Sequence, residues 1–137
     1  MKSLLPLALA LLSGCALFSP ASGRWDLEVE DADDCGMEMT LDQSGSELYG
    51  DADVSCLIYF QYGGEYYSYD VEARGVSVDG RYDRDFGDVE LELSFFDEEL
   101  ETEIELEVEG ELRDGWFEGE LYMNGERFGE LTGDVFN

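Results

Sequence analysis

The sequence predicts an all-β protein: a small up-and-down antiparallel barrel of roughly eight to ten strands, with a two-sheet β-sandwich as the alternative. Three observations predict it. Long runs alternate apolar and acidic residues without a slip. In 101–112, Glu101, Glu103, Glu105, Glu107, Glu109 and Glu111 hold one parity, and Ile104, Leu106, Val108 and Leu112 hold the other. That is the period of a half-buried strand. Turn dipeptides such as Asp114-Gly115 separate the runs. Glycines recur inside the runs at Gly50, Gly80, Gly110, Gly119 and Gly133, as where a barrel wall bends.

The chain opens with Lys2 and an apolar run from Leu4 to Leu12. This run is too short for a transmembrane helix of about 20 residues and reads as a signal peptide over 1–14. It ends in Leu12-Ser13-Gly14-Cys15, which resembles the lipobox of bacterial lipoproteins. The resemblance implies cleavage before Cys15 and its acylation, so that a lipid anchor rather than a spanning segment holds the protein to a membrane. Ala16 stands where an Asp commonly retains such chains at the inner membrane, which implies the outer membrane of the cell envelope. Residues 15–23 then form the lipidated Cys and its tether, and 24–137 a single domain.

Hairpin registers follow from asking which pairing keeps apolar residues facing each other, because a one-residue slip reverses every side chain. A two-residue Gly45-Ser46 loop pairs Leu41 with Gly50, Met39 with Ala52 and Met37 with Val54, and sets Cys35 opposite Cys56. Counted from the turn, this is a non-hydrogen-bonded pair with Cα atoms about 4.5 Å apart, within reach of a disulfide. In an oxidising envelope a Cys35–Cys56 bridge is expected. Gly63-Gly64 pairs Phe60 with Tyr67, Ile58 with Tyr69 and Val54 with Ala73. Arg74-Gly75, read as another turn, pairs Val71 with Val78 and Tyr67 with Tyr82. A four-residue loop over 84–87 pairs Tyr82 with Val89, Val78 with Leu93 and Val76 with Phe95. Asp114-Gly115 pairs Leu112 with Phe117, Val108 with Leu121 and Leu106 with Met123. A strict two-residue loop at Asn124-Gly125 would turn Glu130 and Asp134 inward, so a longer loop or a bulge near Gly129 is expected.

Seven Lys and Arg face 35 Asp and Glu, for a formal net charge of −28. Loss of Lys2 with the signal takes this to −29 and leaves only arginine as a base. Such a surface has nothing to neutralise phosphates and excludes nucleic acid as a partner. The carboxylates are too many to bury in a small barrel, so the Glu face lies in water. That excludes a transmembrane barrel, whose outer band is apolar. The acidic face reads as solvated, with divalent cations or a basic protein as the sharper alternatives. There is no His, and the spare cysteines are spent on the disulfide. Ser-His and Cys-His catalysis are thus excluded; a carboxylate pair for glycoside hydrolysis stays open among so many acids, but nothing marks one pair out, and no enzyme and no cofactor are expected.

Metal-binding spacings are poor. Asp31, Asp33, Gly36 and Asp42 match part of an EF-hand-like loop, but Cys35 interrupts it. Asp83, Asp85 and Asp88 could gather at a turn, where ordinary turn chemistry explains them better.

Gly23-Arg24-Trp25 opens the first strand. A Gly-x-Trp there resembles the calycins, the lipocalin and avidin-like small barrels, and the length is nearer the avidin-like ones. The resemblance implies that Trp25 closes one end and that the interior holds a small apolar molecule. No inward Lys or Arg stands out to cross the barrel bottom, and no polar set suits biotin. Trp25, Tyr67, Tyr69, Tyr82, Phe95 and Phe117 are the pocket candidates, with hydroxyls to fix a ligand's polar end. The competing expectation is a structural or surface acidic lipoprotein with a filled core and no ligand. Finally, 56–64 carries no charge. In the hairpin 56–69, Leu57, Tyr59, Tyr62 and Tyr66 form a candidate partner-binding patch.

Overall fold

The computed structural model describes residues 19–30, 32 and 34–137, with the backbone alone for Phe60. Cys15 and the lipobox, and Asp31 and Asp33, lie outside the described residues.

The strands are β1 (Gly23–Val29), β2 (Cys35–Ser44), β3 (Glu47–Tyr62), β4 (Glu65–Tyr82), β5 (Asp88–Asp97), β6 (Thr102–Arg113), β7 (Trp116–Met123) and β8 (Glu126–Phe136). Each is antiparallel to the next, and β8 returns to β1, with Trp25 opposite Val135 and Leu27 opposite Gly133. The sheet is therefore a closed barrel rather than a sandwich. Closure removes the unpaired edges that an open sheet would present, except where β4 runs on above its last pair with β5, Val78 opposite Leu93.

Most hairpins have the register that apolar matching dictates. Cys35 faces Cys56 across β2 and β3. Leu112 faces Phe117, and Val108 faces Leu121, across β6 and β7. Asp114 (φ 51°) and Gly115 (φ 76°) both adopt left-handed backbone, as a type I′ hairpin requires. Asn124-Gly125 is a two-residue turn too, with Met123 opposite Glu126. The register then shifts between Leu121 and Tyr122, so that Phe128 is the extra residue beside Gly129. This bulge keeps Glu130 and Asp134 in solvent and Leu131 in the core.

Arg74-Gly75 is not a turn. β4 runs straight through it, and the pairing of Val71 with Val78 and of Tyr67 with Tyr82 does not form. Instead Ala52 faces Val76 and Val54 faces Ala73, which leaves Arg74 and Gly75 together opposite Asp53. Gly75 (φ 64°) takes the left-handed conformation of a bulge. Its N–H donates to Asp53 Oδ1 at 3.0 Å. The β4–β5 ladder covers only Val78–Tyr82, from Val78 opposite Leu93 to Tyr82 opposite Val89. Val76 and Phe95 therefore do not pair.

The inner face carries Trp25, Leu27, Met37, Met39, Leu41, Leu91, Leu106, Val108, Phe117, Leu121 and Leu131, all buried. Gly110 faces Gly119 across β6 and β7, and the Phe117 ring tip lies 2.7 Å from where a Cβ would stand on either. Those two glycines make room for the ring, which packs on Trp25 with centroids 5.5 Å apart.

The two ends differ. The lower end takes the segment 19–22 that leads into β1 and the C-terminus. Trp25 seals it, and its Nε1–H donates to Ala21 O at 2.9 Å. Asn137 Nδ2 donates to Ser19, Pro20 and Ser22 carbonyls at 3.1, 3.1 and 2.7 Å. The upper end carries the β3–β4 hairpin, whose strands outrun their neighbours.

Candidate functional site

β2 stops at Cys35, opposite Cys56. β3 continues through 57–62, and at about 3.3 Å per residue it reaches roughly 20 Å further. β4 accompanies it back from a tip at Gly63-Gly64, with Leu57 opposite Asp70, Tyr59 opposite Ser68 and Gln61 opposite Tyr66. The result is a two-stranded arm rising from the upper rim. The disulfide pins its root, with Cα atoms 3.9 Å apart. The Leu57 N–H donates to Asp34 O at 3.3 Å just above it.

The arm exposes aromatic residues on both faces. Tyr59 is 68% exposed, Tyr62 77% and Tyr66 81%; Leu57 is half-buried. Tyr67 has the parity of the core residues, yet it is 43% exposed and donates to Glu65 Oε2 at 3.0 Å. The expectation that it lines the interior fails for a simple reason: at its height the barrel has no opposite wall.

Of the other pocket candidates, Trp25, Tyr82 and Phe117 are buried, and Tyr69 and Phe95 are partly buried against the core. They are not gathered around one void. Trp25 and Phe117 belong to the lower end and Tyr69 to the root of the arm. An apolar space of about 10 Å³ lies between them, lined in part by Met37, Val54, Val71, Phe95 and Leu106. That is at the limit of what holds one water, far below the several hundred Å³ of a pocket for a small ligand.

Tyr69 ties the arm to β5. Its hydroxyl donates to Asp97 Oδ1, which also accepts the Leu100 N–H at 3.0 Å. Asp97 is 8% exposed and sits among the buried residues. Burial, and then the bond to the Asp97 carboxylate, push the Tyr69 hydroxyl up to about 12. The same bond first, and the Leu100 N–H second, hold Asp97 below the usual carboxylate range. Sequence reasoning missed Asp97. The signal was present, because it falls on the inward parity of Leu91, Leu93 and Phe95.

The carboxylate face lies outside. Glu109 stands between Glu90 and Glu120, and Glu111 between Asp88 and Glu118. Arg127 relieves one member, with Nε 3.1 Å from Glu120 Oε1. The Tyr122 hydroxyl donates to the same Glu120 at 2.7 Å. Tyr122 first, then Arg127, lower the Glu120 carboxyl, and the bond to Glu120 raises the Tyr122 hydroxyl.

Asp83, Asp85 and Asp88 stay at the lower β4–β5 loop. Asp83 Oδ1 accepts the Asp85 N–H at 2.9 Å, and the Asp83 N–H donates to Asp88 O at 2.9 Å. Asp83 is thus occupied in shaping its own turn. Asp42 lies on the exposed face of β2. Among the described residues, no three His, Cys, Asp or Glu side chains converge as a metal site.

Compared with known proteins, the chain matches no family model, no curated protein and no solved structure. Fold and site together define an acidic, closed eight-stranded barrel bearing an aromatic arm.

Proposed function

We propose that this chain is a lipid-anchored lipoprotein of the outer membrane, tethered through Cys15, with a non-catalytic role: it binds a protein partner through the hairpin 56–69. Its calycin-like barrel then serves as an acidic stalk. One observation carries the reading. Tyr59, Tyr62 and Tyr66 are exposed on an arm at the end opposite the Ser19–Ser22 tether. Tyrosines are preferred anchors at protein interfaces, and an exposed aromatic patch on a charged surface marks a contact site.

Two further facts support the choice. The interior space of about 10 Å³ argues against a lipophilic cargo inside the barrel. The sequence has no His, and no Lys beyond Lys2, so nucleophiles that depend on a His or Lys base have none to draw on. The acidic strands around the stalk keep it clear of anionic headgroups.

The test is co-purification from the native envelope with wild type, Tyr59→Ala and Tyr66→Ala. The reading expects a partner that both variants lose while melting temperature changes by less than about 2 °C, since exposed substitutions stay within about 0.5 kcal/mol. A partner retained by both variants would overturn it. So would recovery of a lipophilic molecule from the wild-type barrel with no partner.

A further inference from the structure

The barrel is closed, yet its β4–β5 seam is open for most of β4. Strand pairing there ends at Val78 opposite Leu93. Above it, residues 65–77 of β4 are paired with β3 on one side only. The bulge of Arg74-Gly75 against Asp53 marks the place where β4 leaves β5, and bulges raise the local twist. Higher up, the Tyr69 hydroxyl on Asp97 bridges the two strands by side chains.

The backbone groups facing this seam follow from the register. The bond from Leu57 N–H to Asp34 O makes Cys35–Cys56 a non-hydrogen-bonded pair. Cys56 therefore turns its N–H and C=O toward Val71 on β4, its partner there. Polar groups alternate sides along a strand, so those of Tyr66, Ser68, Asp70 and Glu72 point away from β3, into the seam. A row of such groups is a template for strand addition.

The side chains along this edge fix what can add. Asp70 and Glu72 are exposed on its outer face and Glu65 at its tip. A second copy of this chain would bring its own carboxylates against them, and like charges directly opposite are unfavourable. The same charges favour a cationic strand. Across the seam on β5, Phe96 is 64% exposed and offers apolar contact.

We infer that the partner contributes an extended segment with Lys or Arg at alternate positions, which pairs as an added strand along the β4 edge between Tyr66 and Glu72. This rests on the binding role proposed for the arm and specifies its geometry. The cationic side chains lie beside Asp70 and Glu72. The intervening apolar ones lie beside Tyr69, which is partly exposed. Edge pairing supplies affinity, and charge excludes self-association.

The experiment uses the disulfide-bonded protein and a blocked peptide of alternating Lys and Val, eight residues long. Controls are its Glu-Val counterpart and a version N-methylated at every second residue. Binding is read by titration, and amide exchange by NMR. The inference expects the Lys-Val peptide to slow exchange at Ser68, Asp70 and Glu72 by tenfold or more. It expects N-methylation of the set facing β4 to weaken binding at least tenfold, and Asp70→Asn with Glu72→Gln to weaken it severalfold. Equal affinity of the N-methylated peptide, or binding that leaves these amides unprotected, would overturn it as mere attraction to an acidic surface. Failure of the Lys-Val peptide to bind would overturn it too. None of these failures touches the arm's role, which stands or falls on Tyr59→Ala and Tyr66→Ala.

Discussion

Replacing both Cys35 and Cys56 with Ser tests how the arm is joined to the barrel. The bridge spans a sequence separation of 21, and closing a loop of that size removes denatured-chain entropy corresponding to about 3 kcal/mol. With a urea slope of about 1.5–2 kcal/mol/M, the midpoint falls by roughly 1.5–2 M. At about 4 °C per kcal/mol for a domain of this size, the melting temperature falls by about 12 °C. The effect on the native state is local. The Leu57 N–H bond to Asp34 O lies next to the bridge, so its amide exchange accelerates along with that of the arm root. Trp25, Leu41 and Leu112 are buried in the lower barrel and keep their protection relative to global unfolding. Urea melts and amide exchange on the double variant check both points. A midpoint shift below about 0.5 M, or loss of protection as great at the β1–β8 closure as at the arm root, would refute the reasoning.

Three other outcomes follow from the same geometry. Phe117→Ala removes a fully buried ring that fills the space over Gly110 and Gly119, and should cost about 3–5 kcal/mol in urea unfolding. It should also open an apolar void that binds benzene, detectable by a benzene-dependent rise in melting temperature. The Tyr69–Asp97 bond gives pH dependence at both extremes. The Tyr69 hydroxyl is raised to about 12, so its contribution is complete below about pH 10 and lost as pH climbs from about 10 to 12. Asp97 is lowered, so its contribution is present above the ordinary carboxylate pKa and lost as pH falls below it. Tyr69→Phe should lower stability at pH 7 and flatten the alkaline loss, measured as urea midpoints against pH. Glu109→Lys places a cation between Glu90 and Glu120. It should raise the melting temperature in dilute buffer and lose most of that gain in 1 M NaCl, where the screening length falls to about 3 Å.

Much of the barrel was legible because closure, turns and alternation agree. Asp114-Gly115 and Gly45-Ser46 set registers that apolar matching confirms, and the Cys35–Cys56 bridge follows from one of them. Arg74-Gly75 was misread because a left-handed glycine serves a hairpin turn and a bulge equally well. The β3–β4 pairing on both sides and the Asp53 carboxylate that accepts the Gly75 N–H distinguish the two, and those partners lie far off in sequence. Tyr67 was misplaced because parity tells which face a residue is on, not how high it stands above the rim. The open seam was not legible at all. It arises from the unequal lengths of β4 and β5, and a turn placed at Arg74-Gly75 hides that difference. Whether the interior is filled depends on volumes that alternation does not encode.

The most direct measurement places a photo-crosslinking amino acid at Tyr59, at Tyr66 and, as a control, at Glu109 of the full chain in its native cells. The account predicts a discrete adduct with a protein at Tyr59 and Tyr66 and none at Glu109, which lies in the acidic wall of the barrel. Adducts at Glu109 with none at the two arm positions, or no protein adduct at any of the three, would contradict it.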